Sequence, residues 1–222
     1  MINKESNNLG ITQLSTDILE KLSNIFNEYN NKILPLVAAI ETLTGKFPGP
    51  VLNEIRACFS HIARCFSSKI DDNALKNELK KAYDHITRAT LDCHKIMLIY
   101  YQDEVKDFKQ QYKDVNLTLV DDGKFLPEFT ILNDKARLKT IEAKSIENKS
   151  FPEKEGAYTA YEEALVSYYD VSNFIKKHNV GLANAKQHAK NRTKEENIRN
   201  WKFAIIGAII SAIISIVIGF LV

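Results

Sequence analysis

The chain has 222 residues, of which 45% are hydrophobic and 26% charged. It shows no long repeat or low-complexity segment, which excludes a repeat array and leaves room for one helical domain of roughly 180 residues plus an appendage. The formal charge of +2 conceals an asymmetry, because residues 176–202 carry eight Lys or Arg against two Glu, a local +6 that leaves −4 on the remainder.

The first predicted element is a long amphipathic helix over residues 14–43. Its stripe, Leu14, Ile18, Leu22, Ile25, Tyr29, Ile33, Leu36, Ile40 and Leu43, keeps a three-four spacing, with a bend expected at Pro35. Gly45 and Phe47-Pro48-Gly49-Pro50 end it. A second helix over residues 51–69 carries Leu52, Ile55, Phe59, Ile62 and Phe66 on one stripe, and Asp71-Asp72-Asn73 then turns the chain and caps the next helix. The third helix, from residue 74 towards 112, has the stripe Leu75, Leu79, Ala82, Ile86, Cys93, Met97 and Tyr100, so that the second and third helices form an antiparallel hairpin.

Residues 116–132, NLTLVDDGKFLPEFTIL, break the helical pattern with β-branched residues and a D-D-G turn, and predict an extended loop or small hairpin. Helical pattern resumes over residues 133–148, is interrupted at Phe151-Pro152 and restarts at Glu153 with an aromatic-rich stretch that includes Tyr158, Tyr161, Tyr168, Tyr169 and Phe174. Past Gly181, the basic stretch 183–202 reads as a helical stalk or a flexible linker.

The last twenty residues, FAIIGAIISAIISIVIGFLV, contain no charge, amide, His or Pro, and at 1.5 Å rise per residue match a hydrocarbon core of about 30 Å. Trp201 would sit at the interface. Lys186, Lys190, Arg192, Lys194, Arg199 and Lys202 lie directly upstream, where the positive-inside rule would keep the N-terminal side cytoplasmic. The expectation is an all-α protein: a cytoplasmic helical bundle (1–180), a basic juxtamembrane segment (181–202) and a single-pass C-terminal transmembrane helix (203–222) in the inner membrane. Small residues form two rows in that helix, Gly207, Ser211, Ser215 and Gly219 on one and Ala204, Ala208 and Ala212 on the other, a pattern that suits a ring of self-associating copies.

Three cysteines without a C-x-x-C pair and a polar N-terminal stretch point to a reducing compartment without secretory cleavage. Cys58, His61 and Cys65 have spacings that bring three metal-ligating types onto one helix face, but no fourth ligand is evident and no metal or other cofactor is expected. Walker loops, dinucleotide fingerprints, H-E-x-x-H and G-x-S-x-G are absent from the sequence.

The residues suited to chemistry lie on the second and third helices. Arg56 and His61 have an R-x4-H spacing, and at 100° per residue His61 lies about 140° from the apolar stripe, on the polar face beside Arg64. A cation there can hold a phosphate while an imidazole moves a proton. On the third helix His85, Arg88 and Asp92 share a face, and Arg88 to His94 reads R-x5-H. The two helices also carry an echo, His61-Ile62-Ala63-Arg64 and His85-Ile86-Thr87-Arg88. An antiparallel pairing about a turn near Ile70 would set Arg56 roughly level with His85, so that both sets contribute to one polar seam.

An all-helical domain carrying Arg56-Ala57-Cys58-Phe59-Ser60-His61 on an internal helix resembles the HEPN domains, over roughly residues 51–112. That resemblance implies a metal-independent ribonuclease site of antiviral and toxin systems, in which Arg56 stabilises phosphate charge and His61 acts as acid or base. Ala57 stands where active family members often have a polar residue. With a membrane helix added, the architecture is similar to the small accessory proteins of type VI-B CRISPR systems, which implies a membrane-anchored defence protein that oligomerises into a pore. The partners implied are a lipid bilayer, further copies of the chain, and RNA or an RNA-guided effector protein. Two alternatives stand beside it: a membrane-tethered ribonuclease toxin with Arg56 and His61 catalytic, and a tail-anchored adaptor whose Tyr-rich helix docks a protein partner.

Overall fold

The structure is a computed structural model that describes residues 15–67, 70–149 and 156–221, with side chains described as far as residue 211. Among the described residues all regular structure is helical: α1 (Thr16–Glu28), a π-helical turn (Tyr29–Ile33), α2 (Leu34–Thr44), α3 (Gly49–Cys65), α4 (Asp72–Gln111), α5 (Phe125–Glu147), α6 (Ala157–Lys177) and α7 (Asn179–Leu221). Leu14 and residues 68–69 and 150–155, the last holding the expected break at Phe151-Pro152, lie outside the described residues.

The expected first helix is interrupted by the π turn, and Pro35 falls directly after it, in the first turn of α2. Gly45 closes α2 in the left-handed conformation at φ 65°, with its N–H on the Glu41 carbonyl. The extended loop or small hairpin expected at 116–132 is not formed, and α5 begins within it at Phe125. Two short 3₁₀ turns (Leu117–Leu119 and Asp121–Gly123) fill its first half. Asp121, Asp122 and Gly123 all have positive φ, which reverses the chain without a strand pair. Pro127 then falls in the first turn of α5, and Phe125 and Phe129, one turn apart, are buried.

The chain divides into two compact units, Met1–Asp103 with Ala136–Tyr168, and Glu104–Lys135 with Tyr169–Val222. In the first, Ile18, Ile25, Ile33, Val37 and Ile40 of the N-terminal helices pack with Val51, Cys58 and Ile62 of α3 and Leu79, Ala82, Ile86, Ala89 and Cys93 of α4. Burial pushes the Cys58 thiol up to about 11 and Cys93 to about 12, so both behave as small apolar side chains. Ala136 and Ala143 of α5 and Ala160 and Ala164 of α6 are also buried there, and Lys139 to Glu163 (2.8 Å) and Tyr161 to Glu147 (2.6 Å) tie the two helices together. Tyr161 and Tyr168, part of the aromatic-rich stretch, are core residues.

In the second unit, Phe125 is fully buried and stacks on Phe129 and Phe174, with Phe108 and His178 edge-on. Gly181, in the first turn of α7, faces Val120: a Cβ added there would lie 3.0 Å from the Val120 side chain, which is itself buried and has little room to give. Gly181→Ala is therefore expected to destabilise by about 1 kcal/mol, crowding outweighing the helix-propensity gain of Ala. A urea melt in which the variant is as stable as the wild type or more so would contradict it.

The expected C-terminal transmembrane helix is not upheld, because among the described residues no helix is long and apolar enough to cross a membrane. The physical reason lies in how α7 is composed. It begins at Asn179 as a polar, strongly charged helix whose charged residues reach Lys202, so more than half of its length is unsuited to hydrocarbon. Of the two rows of small residues, Ala204, Gly207, Ala208 and Ser211 are exposed, and no atom lies within 4 Å of a Cβ built on Gly207. Ala212, Ser215 and Gly219 lie beyond the described side chains.

Candidate functional site

Helices α3 and α4 run antiparallel and meet in a polar seam beside the apolar core. His61 Nδ1 lies 2.7 Å from Glu78 Oε2, and His85 Nδ1 lies 2.7 Å from Glu54 Oε2. The seam thus holds two crossed His–carboxylate pairs: Glu54 and His61 are seven residues apart on α3, as are Glu78 and His85 on α4, so each helix presents one carboxylate and one imidazole two turns apart on a single face. The imidazole planes stack, with centroids 5.1 Å apart and 19° between them. The side chains are largely but not fully buried, His61 at 14% and His85 at 22% exposure, which leaves the seam within reach of solvent.

An arginine one turn on completes each set. Arg64 donates to Glu78 at 3.4 Å, and Arg88 Nε donates to Glu54 at 3.0 Å. Arg64 and Arg88 also approach the Nδ1 atoms of His61 and His85, at 3.3 and 2.7 Å, so each Nδ1 stands between a donor-only guanidinium and an acceptor-only carboxylate. With the Nδ1 proton on the carboxylate side, Nε2 would be the atom left to exchange a proton.

The carboxylates are held ionised. Lys81 at 2.8 Å and then His61 hold Glu78 down at about 2, from an ordinary 4.5, against a smaller opposing effect of burial. At Glu54 burial pulls upward, but the hydrogen bonds from His85 and Arg88 outweigh it and leave the carboxyl below its usual range. Because its folded-state value is depressed, Glu78 stabilises the fold fully above pH 4.5, and that contribution is lost as the pH falls towards 2. Urea midpoints measured across that interval should fall for the wild type and fall less for Glu78→Gln; parallel acid limbs would contradict the assignment.

The structure brings His61, Arg64, His85 and Arg88 together and does not bring Arg56 to them. Arg56 is exposed on another face of α3, and only its main-chain carbonyl is engaged, by Ser60 Oγ at 2.8 Å. The expected R-x4-H pairing fails because five residues place the two side chains about 140° apart. Asp92 is half-buried at the edge of the seam, where burial raises its carboxyl above the usual range. The R-x5-H partner His94 is 3% exposed and packs on Tyr158 at 5.0 Å, and burial pushes its imidazole below the usual range. Among the described residues no group of three or more His, Cys, Asp or Glu is placed to hold a metal.

Glu54 and Glu78 are the residues that sequence reasoning missed, and a signal for them exists. The H-I-x-R echo extends upstream: Asn53-Glu54-Ile55-Arg56 matches Asn77-Glu78-Leu79-Lys80, and Phe59 matches Tyr83. Each helix of the hairpin therefore carries one copy of N-E-(Ile/Leu)-(Arg/Lys)-x2-(Phe/Tyr)-x-H-I-x-R, and antiparallel pairing of two copies gives a seam with near two-fold symmetry. No family model, curated protein or solved structure matches the chain.

Proposed function

We propose that the chain is a HEPN-like, metal-independent ribonuclease of a defence system, and that its reaction centre is the His61–His85 seam. The observation that carries the reading is the pair of stacked imidazoles, each held through Nδ1 by its own carboxylate with an arginine alongside. Nε2 of one histidine takes the proton of a ribose 2′-hydroxyl as that oxygen attacks the adjacent phosphorus. The bond from phosphorus to the 5′-oxygen breaks, and the other histidine, protonated, gives its Nε2 proton to the departing oxygen. The products are a 2′,3′-cyclic phosphate and a 5′-hydroxyl. Arg64 and Arg88, half-exposed beside the rings, offset the charge that grows on the phosphoryl oxygens. The test is cleavage of a fluorophore-quencher RNA by the purified chain in the presence of EDTA. Cleavage that survives Arg56→Ala is expected; an inactive wild type would sink the reading.

A second reading concerns assembly. Trp201, Phe203, Ile206, Ile209 and Ile210 of α7 are all more than half exposed, a run of apolar surface that water does not favour. We propose that copies of the chain cover this stretch for one another. Light scattering should give a larger particle for the full chain than for one ending at Arg199, and equal subunit numbers would contradict it.

A further inference from the structure

A cavity lies away from the seam, between α1 and α4. It has a volume of about 520 Å³, within the range of small-molecule sites, and is lined by Lys21, Asn24, Lys76, Asn77, Lys80 and Tyr83. Lys80 lies about 140° around α4 from His85, so the cavity and the seam occupy different faces of the helix.

The lining is chemically one-sided. Three of its lining residues are lysines, Leu79 is its one aliphatic member, and no carboxylate lines it. Lys21 has an exposed carboxylate neighbour, Asp17, at 3.1 Å on its own helix. Lys76 and Lys80 stand one turn apart as a like-charge pair, a mildly unfavourable arrangement that an anion would relieve. Beside them Asn24 and Asn77 offer amides that both donate and accept, and Tyr83 leaves about half of its surface to solvent, at 49%. Cations for a phosphate, amides for ring nitrogens and carbonyls, and an uncovered aromatic face for stacking are the three things a nucleotide requires.

We infer that this cavity binds a nucleotide, with its phosphate on Lys21, Lys76 and Lys80 and its base against Tyr83. The site does not depend on the seam: the residues that line it are distinct from both histidines, both glutamates and both arginines.

Isothermal titration of the full chain with adenosine 5′-monophosphate, an oligoadenylate and inorganic phosphate tests it. Both adenine probes supply the same chemistry, and saturation by the mononucleotide identifies a free nucleotide as the source, whereas saturation by the oligomer alone identifies a strand. Tyr83→Ala is expected to weaken the adenine probes roughly tenfold and to leave inorganic phosphate unchanged. The pair K76E and K80E, on the helix surface, should abolish binding of all three with the helical circular dichroism spectrum retained. To separate the cavity from the seam, the titration is repeated in His61→Ala, where nucleotide binding should persist. Absence of saturable binding by either adenine probe, binding that survives K76E and K80E, or equal binding of inorganic phosphate and adenosine monophosphate by the wild type would each overturn the inference.

Discussion

Replacing His61 or His85 by alanine is expected to lower the rate of RNA cleavage by roughly 10²–10⁴-fold, the usual loss when a general acid or base is removed. The near two-fold symmetry of the seam sharpens the expectation, because each histidine has the same partners: one carboxylate at 2.7 Å and one arginine a turn away. The two single variants should therefore be impaired to similar extents. Combining them should cost far less than the product of the two losses, as groups that act as a unit do. Glu54→Gln and Glu78→Gln should fall between wild type and the histidine variants, since an amide still accepts the Nδ1 proton but no longer offers a charge to a protonated ring. Wild-type cleavage that one histidine variant keeps in full would show that the two rings do not share a reaction.

Phe125→Ala is expected to be the most damaging single truncation in its unit, at about 3–5 kcal/mol. Phe125 is fully buried, and four aromatic rings lie within 6.0 Å of its centroid: Phe108, Phe129, Phe174 and His178. Those neighbours come from α4, α5, α6 and the residue between α6 and α7, so no single element can relax into the space left behind. A urea-denaturation midpoint close to that of the wild type would show that the rings collapse onto one another after all. Phe125→Leu, which keeps most of the apolar volume, should recover much of the loss.

Helix identity was largely readable from the three-four spacing of apolar residues, since Ile18, Ile25, Ile33, Leu79, Ala82, Ile86 and Cys93 all lie in the core their stripes imply. Residues 116–132 were misread because Val120, Thr118 and the D-D-G turn have strand-and-turn character locally. What the pattern does not display is that Phe125 and Phe129 are buried one helical turn apart, and that burial sets the conformation there. Most of the seam's basic residues were legible as a polar face. The register was two residues off, with Glu54 rather than Arg56 standing opposite His85, and a surface glutamate on an amphipathic helix is too common to attract notice alone. The C-terminal segment was read from composition by its uninterrupted apolar letters, which do not display the charged helix from Asn179 to Lys202 that they continue; among the described residues no helix is long and apolar enough to cross a membrane.

The crossed pairing of α3 and α4 has a kinetic corollary. When a reaction centre is assembled from equivalent motifs on separate molecules, the active fraction falls on dilution, and the rate depends on more than the first power of the total protein. Here both copies of the motif lie on one polypeptide, joined by the short connection from Cys65 to Asp72. Turnover per mole of chain should then stay constant on dilution, and an inactive chain added in excess should not poison an active one.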